Sequence, residues 1–337
     1  MLEYCFHDPD VVEITRKGWG ASAAVVVGDA QGNALTLLEM PRRLGRYLVS
    51  PYEAGIALSA DRSGEARTAR LLEPLVERLE AEIAGARDVC VQIRASADFV
   101  ETRGHAILEP FLRAGFRARL DLWERVVDLR LDPDEILAHA AERVRRKLRR
   151  GLAEQPKVEL YFGEGVSRDL LRDLFEAAAH TRRAGGAGFR HDVTLYTEDR
   201  AALIAKGKAV LAVCDHDGFR GYVLALVSRD LGYYWDGAWS GTQSPFANHF
   251  LHYRVMLFLK ELGVRRYSLG YVFPGLLAGS TKEARIAFFK DGFGDGLRPV
   301  YTLELVRERR AVAWIRRLAG SRLGAAARRV ARRRPRP

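Results

Sequence analysis

The chain has 337 residues, 48% of them hydrophobic and 29% charged, a composition that excludes wholesale disorder and suffices for two ordinary domains. No apolar run approaches the ~18–20 residues of a membrane span. The formal charge of +11 lies wholly in residues 307–337, with 12 arginines and one glutamate; the rest balances 42 basic against 42 acidic residues, which excludes a nucleic-acid-binding body by bulk charge.

In chain order, the acidic start (Glu3, Asp8, Asp10, Glu13) is unlike a secretory signal. A strand is predicted over Ser22–Gly28 and a second over Ala34–Met40, with a turn at Gly28–Asn33. Leu71, Leu72, Leu75, Val76, Leu79 and Ile83 fall at helical spacing, predicting a helix over Glu65–Ala84 that stops at Gly85. A strand at Asp88–Arg94 and a short helix at Ile107–Ala114 follow, the latter ended by Gly115. Asp132 and Pro133 read as the cap and first residue of one helix to Arg150, ended by Gly151. Acid at its start and the basic run Arg143–Arg150 at its end suit the helix dipole, and this helix is the expected domain junction.

Beyond helix Ser167–Thr181 and the glycine-rich loop Arg183–Gly188, the order repeats. Strands are predicted at Lys208–Asp215, Phe219–Val227 and Gly232–Ala238, the first two joined by the hairpin pair Asp217-Gly218. Ser244-Pro245 reads as the cap and first residue of a long helix to Gly263. A strand at Val264–Leu269 and a helix at Lys282–Lys290 close the unit. Gly85 to Gly115 spans 30 residues and Gly263 to Gly292 spans 29. The ends match in type: Phe111-Leu112-Arg113-Ala114-Gly115-Phe116 parallels Phe288-Phe289-Lys290-Asp291-Gly292-Phe293, which reads as a duplicated α/β unit. The three cysteines, Cys5, Cys90 and Cys214, have no metal-ligand spacing, and their odd number argues against a disulfide framework. A cytoplasmic protein is expected, peripheral at the inner membrane face.

Four segments carry a family resemblance: Ser50-Pro51-Tyr52; Val126-Val127-Asp128-Leu129 with Glu135 and Arg143-Val144-Arg145-Arg146; Tyr233-Tyr234-Trp235-Asp236-Gly237-Ala238; and Ala287-Phe288-Phe289-Lys290-Asp291-Gly292-Phe293-Gly294. In this order the chain resembles the FemAB-like aminoacyltransferases over roughly residues 20–305, in a compact form without a helical arm. The last segment is similar to that family's Phe-Lys-x-Gly-Phe-Gly signature. The resemblance implies an α/β (α+β) fold of two tandem GNAT-like domains with mixed, mostly antiparallel sheets flanked by helices. It places them at 1–131 and 132–306, the second holding the active site, followed by a basic amphipathic helix and tail at 307–337. It implies transfer of an acyl group to a primary amine, for instance on a peptidoglycan or other cell-envelope precursor.

No tightly bound cofactor is expected. Ordinary GNAT enzymes hold the coenzyme A pyrophosphate on an Arg/Gln-x-x-Gly-x-Gly/Ala loop, and Gly237–Ser244 lacks that pattern where it is expected. Arg183–Gly188 fits the pattern at the wrong place in the fold. Aminoacyl-tRNA is therefore favoured over acyl-CoA as donor.

Within that frame Lys290 is the first candidate, its ammonium placed to stabilise an oxyanion or hold a phosphate. It also reads simply as a helix-end cation, as Arg113 does in the first half. Asp236 is a candidate acceptor for the amine's proton, and Tyr234, two residues away on an alternating strand, shares its face and is a candidate acid. Arg183, Arg190, His191, Trp235, Ser240, Thr242, Phe289 and Gly292 are expected to contact substrate, and Arg146 and Arg150 to contact phosphate or tRNA. His249 and His252 lack a third ligand, so no metal is expected and packing roles are favoured. The tail, with Trp314, Ile315, Leu318 and Leu323 among arginines, suits an anionic membrane surface or RNA. The competing reading is a catalytically silent module that binds RNA or envelope precursors.

Overall fold

The computed structural model describes residues 5–29, 33–41, 46–51, 56–57, 65–96, 100, 105–184, 192–272, 282–294 and 297–307. Tyr52, the loop residues Gly185, Gly186 and Gly188, Arg190, His191 and the tail from 308 onward lie outside them.

The first helix, α1 (Pro9–Trp19), was not anticipated, although Asp8 caps it, Pro9 opens it and Gly20 closes it. β1 (Ala23–Gly28) and β2 (Ala34–Met40) form the expected hairpin. β3 (Arg46–Val49) and the two-residue β4 (Ile56–Ala57) both pair with β2. α2 (Glu65–Ile83) buries Leu72, Leu75, Val76, Leu79 and Ile83, the stripe its spacing predicts. β5 (Val89–Ser96), the short α3 (Glu109–Arg113) and the long β6 (Arg117–Asp128) follow.

The second half continues with α4 (Pro133–His139), α5 (Glu142–Glu154), β7 (Lys157–Tyr161), α6 (Arg168–Ala184) and α7 (Val193–Ala205). β8 (Ala209–His216), β9 (Phe219–Val227) and β10 (Leu231–Gly241) then run antiparallel. α8 (Ala247–Glu261) crosses over to β11 (Arg266–Val272), which lies parallel to β10, as a helical crossover permits. α9 (Lys282–Asp291) leads to β12 (Leu297–Arg307).

The twelve strands of the described residues join one sheet in the order β1-β2-β3-β5-β12-β6-β11-β10-β9-β8-β7, with β4 on β2. The last strand therefore lies between two strands of the first half. Val300–Arg307 pairs with Ser96–Val89 on one side, and Leu297–Glu304 with Arg125–Arg117 on the other. Gln92 and Arg119 both donate to the Glu304 carboxylate, at 2.7 and 3.2 Å, tying the three strands together. The apolar core crosses the halves as well: Phe6, Val11 and Ile14 share one cluster with Leu170, Tyr196 and Tyr233. Lys208 adds ion pairs to Asp8 and Asp10 at 2.8 and 2.6 Å.

Three expectations are corrected. The helix expected over Pro133–Arg150 is two helices, broken at Ala140 and Ala141, where the backbone turns extended. Its supposed stop, Gly151, lies inside α5, where a Cβ would come within 2.6 Å of the Phe250 ring. The long helix begins at Ala247 rather than Pro245, although the Ser244 hydroxyl accepts the Ala247 amide at 3.1 Å. In the duplicated helix ends, Phe111 and Phe116 pack edge to face at 5.6 Å. Their packed counterparts are Phe289 and Phe293, at 5.4 Å, because Phe288 points outward and is 52% exposed.

Gly151→Ala forces a methyl group into the Phe250 ring, and overpacking of this kind costs about 1–3 kcal/mol. Equilibrium urea unfolding should show that loss, outweighing the higher helix propensity of alanine.

Candidate active site

β10 and β11 pair over only three residues each, Leu231–Tyr233 with Arg266–Ser268, and then part. Each strand carries an irregularity where this happens. On β10 the register shifts between Tyr234 and Asp236; on β11 it shifts between Ser268 and Tyr271. Gly270 sits in the second shift with φ +73°, where L side chains are strained. A Cβ there would lie 2.9 Å from the Tyr233 hydroxyl and 3.4 Å from Lys290 Nζ. The glycine lets both polar groups approach the backbone at the point of divergence. Bulges of this kind re-aim side chains and often border active sites.

Behind that point lies Glu124, 4% exposed, on β6 where the strand pairs with Tyr271 of β11 on one side and Arg298 of β12 on the other. The Gly270 amide donates to Ser268 Oγ at 3.0 Å, which leaves the Ser268 hydroxyl proton for the Glu124 carboxylate. Burial pushes this carboxyl up to about 7, against the opposing pull of Ser268, Arg298 and Lys290. Lys290, at the end of α9, donates from Nζ to the Tyr271 carbonyl at 3.0 Å. Arg94 lies over the Tyr271 ring, 5.1 Å from its centre, and reaches its hydroxyl at 3.4 Å. The end of α9 is clamped: Arg125 bonds Asp291 at 2.5 Å, and Arg143 donates to the Phe288 carbonyl at 2.7 Å. A half-buried ammonium, a carboxyl that titrates near neutrality and two arginines thus meet where the sheet opens. That set can accept a proton, stabilise an oxyanion and hold an anionic carrier.

Asp236, also a candidate base, is placed differently. It is 7% exposed and accepts the Tyr196 hydroxyl and Arg182 Nη2, both at 2.9 Å. The Gly237 amide adds a third bond at 3.0 Å, and Arg200 lies 3.9 Å away. A carboxylate so engaged anchors β10 to α6 and α7, with three of its roughly four lone-pair sites already in use. Tyr234 does not share its face. The register shift at Trp235 breaks the alternation, so Tyr234 packs with the α8 side, its ring 4.7 Å from His252, while Asp236 meets α6 and α7. Burial pushes the Tyr234 phenol up, with the Asp236 charge adding to the shift.

The other expected residues scatter. Trp235 lines the space beside Asp236, under Arg200 at 4.8 Å. Ser240 lines a separate groove with Tyr222 and Trp239, and the Thr242 backbone amide donates to the Gly218 carbonyl in the β8–β9 turn at 2.9 Å. Phe289 packs on His249, His252 and Phe293. Gly292 gives Val144 room, since a Cβ there would lie 2.3 Å from its methyl group. Arg183 is exposed and bonds its own helix at the Ala179 carbonyl. Arg146 pairs with Glu142 and Arg150 with Glu154 on the outer surface of α5. Burial lowers His249 and His252 to about 3, which keeps both neutral in an aromatic cluster. Among the described residues no group of three potential ligands could hold a metal ion. Glu124, Ser268, Tyr271 and Arg94 went unnoticed because the sequence shows them as polar residues of ordinary strands. Only the weak signal of Ser268-Leu269-Gly270, a glycine inside a strand, marked the place.

Residues 138–276 match the family model described as an acetyltransferase (GNAT) domain. The crystal structure of FemX superposes with a TM-score of 0.63 at 16% identity, covering 87% of this chain and 90% of that one. The C-terminal domain of a putative lysylphosphatidylglycerol synthetase from Agrobacterium fabrum gives 0.57 at 17% identity, covering 93% of each chain. L-PGS from Bacillus licheniformis gives 0.56 at 15%, covering 94% of this chain and 98% of that one. No curated protein sequence matches. The fold is FemAB-like and mixed α/β, and its GNAT domain makes the chain an acyltransferase.

Because the folded state raises the Glu124 carboxyl from its ordinary 4.5 to about 7, it binds more protons than the unfolded chain between those values. This group's contribution to stability therefore falls as pH rises through that window. Glu124→Gln should remove that part of the slope and raise the melting temperature at pH 8 relative to the parent protein.

Proposed function

We propose that this chain, FemAB-like in fold, is an aminoacyltransferase that joins an amino acid from aminoacyl-tRNA to a primary amine. The observation that carries this reading is the Glu124 carboxyl, held near neutrality beside Lys290 where β10 and β11 part. In the reaction the amine nitrogen attacks the ester carbonyl carbon. Glu124 takes the proton released from nitrogen, and the Lys290 ammonium faces the oxyanion that forms. Collapse breaks the bond to the ribose oxygen, which leaves with the proton Glu124 returns. The products are an amide and uncharged tRNA.

Several features support the donor and acceptor classes. Arg94 and Arg298 supply positive charge for a phosphate-bearing carrier. The coenzyme A loop pattern is missing from Gly237–Ser244. Taking 1–131 and 132–306 as the two units, the site belongs to both, with Glu124 from one and Lys290 from the other. The acceptor is an amine of a cell-envelope precursor, in keeping with the FemX fold. Two neighbours named for lysylphosphatidylglycerol synthesis favour a lipid-borne acceptor. The arginines of residues 307–337 suit attachment to an anionic inner membrane face. Among the described residues no helix is long and apolar enough to cross a membrane.

Titration of the full chain at fixed salt with hydrolysis-resistant aminoacyl-tRNA, uncharged tRNA and acetyl-CoA tests the donor. Preference for charged tRNA is expected; saturable acetyl-CoA binding without it would make the enzyme an acyl-CoA-dependent N-acyltransferase. Lys290→Met should slow single-turnover transfer about 100-fold or more while donor affinity changes little. Full transfer by that variant would remove Lys290 from the chemistry. Binding without transfer to any acceptor, in parent and variant alike, would favour the silent binding module.

A further inference from the structure

Two phenols stand side by side in Tyr233-Tyr234, and strand alternation sends them to opposite faces of β10. Tyr234 packs on the α8 side, against His252. Tyr233 belongs to the apolar cluster of the other face, yet its hydroxyl reaches the gap between β10 and β11.

Tyr233 is the last residue of β10 to pair with β11 before the strands part, and it lies opposite Ser268, whose hydroxyl serves Glu124. Two residues beyond Ser268 comes Gly270, where a Cβ would lie 2.9 Å from the Tyr233 hydroxyl and 3.4 Å from Lys290 Nζ. The phenol and the ammonium therefore converge on one backbone position from the same side. They are no farther apart than those two distances combined, which is the span of two hydrogen bonds meeting on one oxygen atom.

The placement is held from several sides. Tyr233 is 3% exposed, and its ring meets that of Phe6 edge to face at 4.8 Å. Phe6 is itself buried, in the turn Cys5–His7 ahead of α1, so the N-terminal segment fixes the phenol. Lys290 is directed to the same place by its bond to the Tyr271 carbonyl. Gly270 leaves free the point that both groups approach. Charge gives a reason for a phenol here. The Lys290 ammonium pulls the Glu124 carboxyl down, against the burial that raises it. A second cation on the reacting oxygen would pull it down further, whereas a neutral O–H stabilises that oxygen without this effect.

We propose, resting on the acyl-transfer reading, that Tyr233 is a further catalytic residue, its hydroxyl donating together with Lys290 to the oxygen of the tetrahedral intermediate. As the amine nitrogen bonds to the carbonyl carbon, the π electrons of the carbonyl move to its oxygen, which accepts from Tyr233 Oη–H and Lys290 Nζ–H. Neither proton leaves its donor. Collapse restores the carbonyl and expels the ribose oxygen.

Single-turnover transfer at saturating donor, followed across pH in the parent protein and in Tyr233→Phe, tests this role. The variant should be slowed about 100-fold, with donor affinity and the shape of the pH profile as in the parent. An unchanged rate, a loss confined to donor affinity, or an altered pH profile would each overturn the proposal. Gly270→Ala, whose methyl group would stand against both donors, gives the same comparison if Tyr233→Phe does not fold. Esters and thioesters form the same oxyanion, so if the parent transfers from acetyl-CoA instead of aminoacyl-tRNA, the comparison is made with that donor. The tRNA reading would then fall while a slowed variant would still support Tyr233. A parent protein that transfers from neither donor would overturn both.

Discussion

The candidate centre depends on the parting of two parallel strands. A continuous sheet of twelve strands offers no opening along its length unless neighbours lose register. Here β10 slips against β9 at Trp235 and β11 slips against β6 near Gly270, at the level where β10 and β11 cease to pair. Each extra residue turns the strand and frees backbone that the ladder would otherwise consume. Asp236 keeps the β10 side of the gap open by tying it to Arg182 and Tyr196. The clamp of Arg125 and Arg143 on the end of α9 fixes the other side, so that Lys290 reaches the Tyr271 carbonyl.

The order of the strands explains why a carboxyl can be kept dry at this place. Glu124 lies on β6 with β11 on one side and β12 on the other, deep in the sheet rather than at an edge. β12 arrives there from the end of the described chain and fills the space beside β5. Without it β6 would present an open edge to water, and Glu124 would lose much of the burial that raises its proton affinity. The candidate site therefore draws on both halves, and the last strand serves it by covering β6 as well as through Arg298. Burying an acid in this way opposes stability, a conflict familiar at functional sites.

Local structure was largely legible in the sequence. β2 and β9 fall where alternation and turn residues placed them, and the apolar stripe of α2 is the one its spacing shows. What stayed hidden follows from non-local physics. Nothing local to Leu297–Arg307 says that it inserts between β5 and β6, since strand order is set by partners more than a hundred residues away. Gly151 reads as a helix stop but answers to the Phe250 ring across a helix interface. Tyr234 and Asp236 read as one face because period-two alternation cannot register a one-residue bulge. Of the candidate site, Lys290 and its flanking aromatics were legible through a motif, whereas Glu124 was not, because its character comes from burial rather than from its neighbours in sequence.

The proposed base, Glu124, owes its high proton affinity to burial in the sheet, close to Lys290. The decisive measurement is the pH dependence of single-turnover transfer from aminoacyl-tRNA, compared between the parent protein and Glu124→Gln. The parent rate should rise with pH to a plateau through an apparent pKa near 7, matching the shifted carboxyl. The variant should be slowed about 100-fold or more and no longer show this rise. If the variant keeps both the rate and the pH profile, Glu124 is not the base.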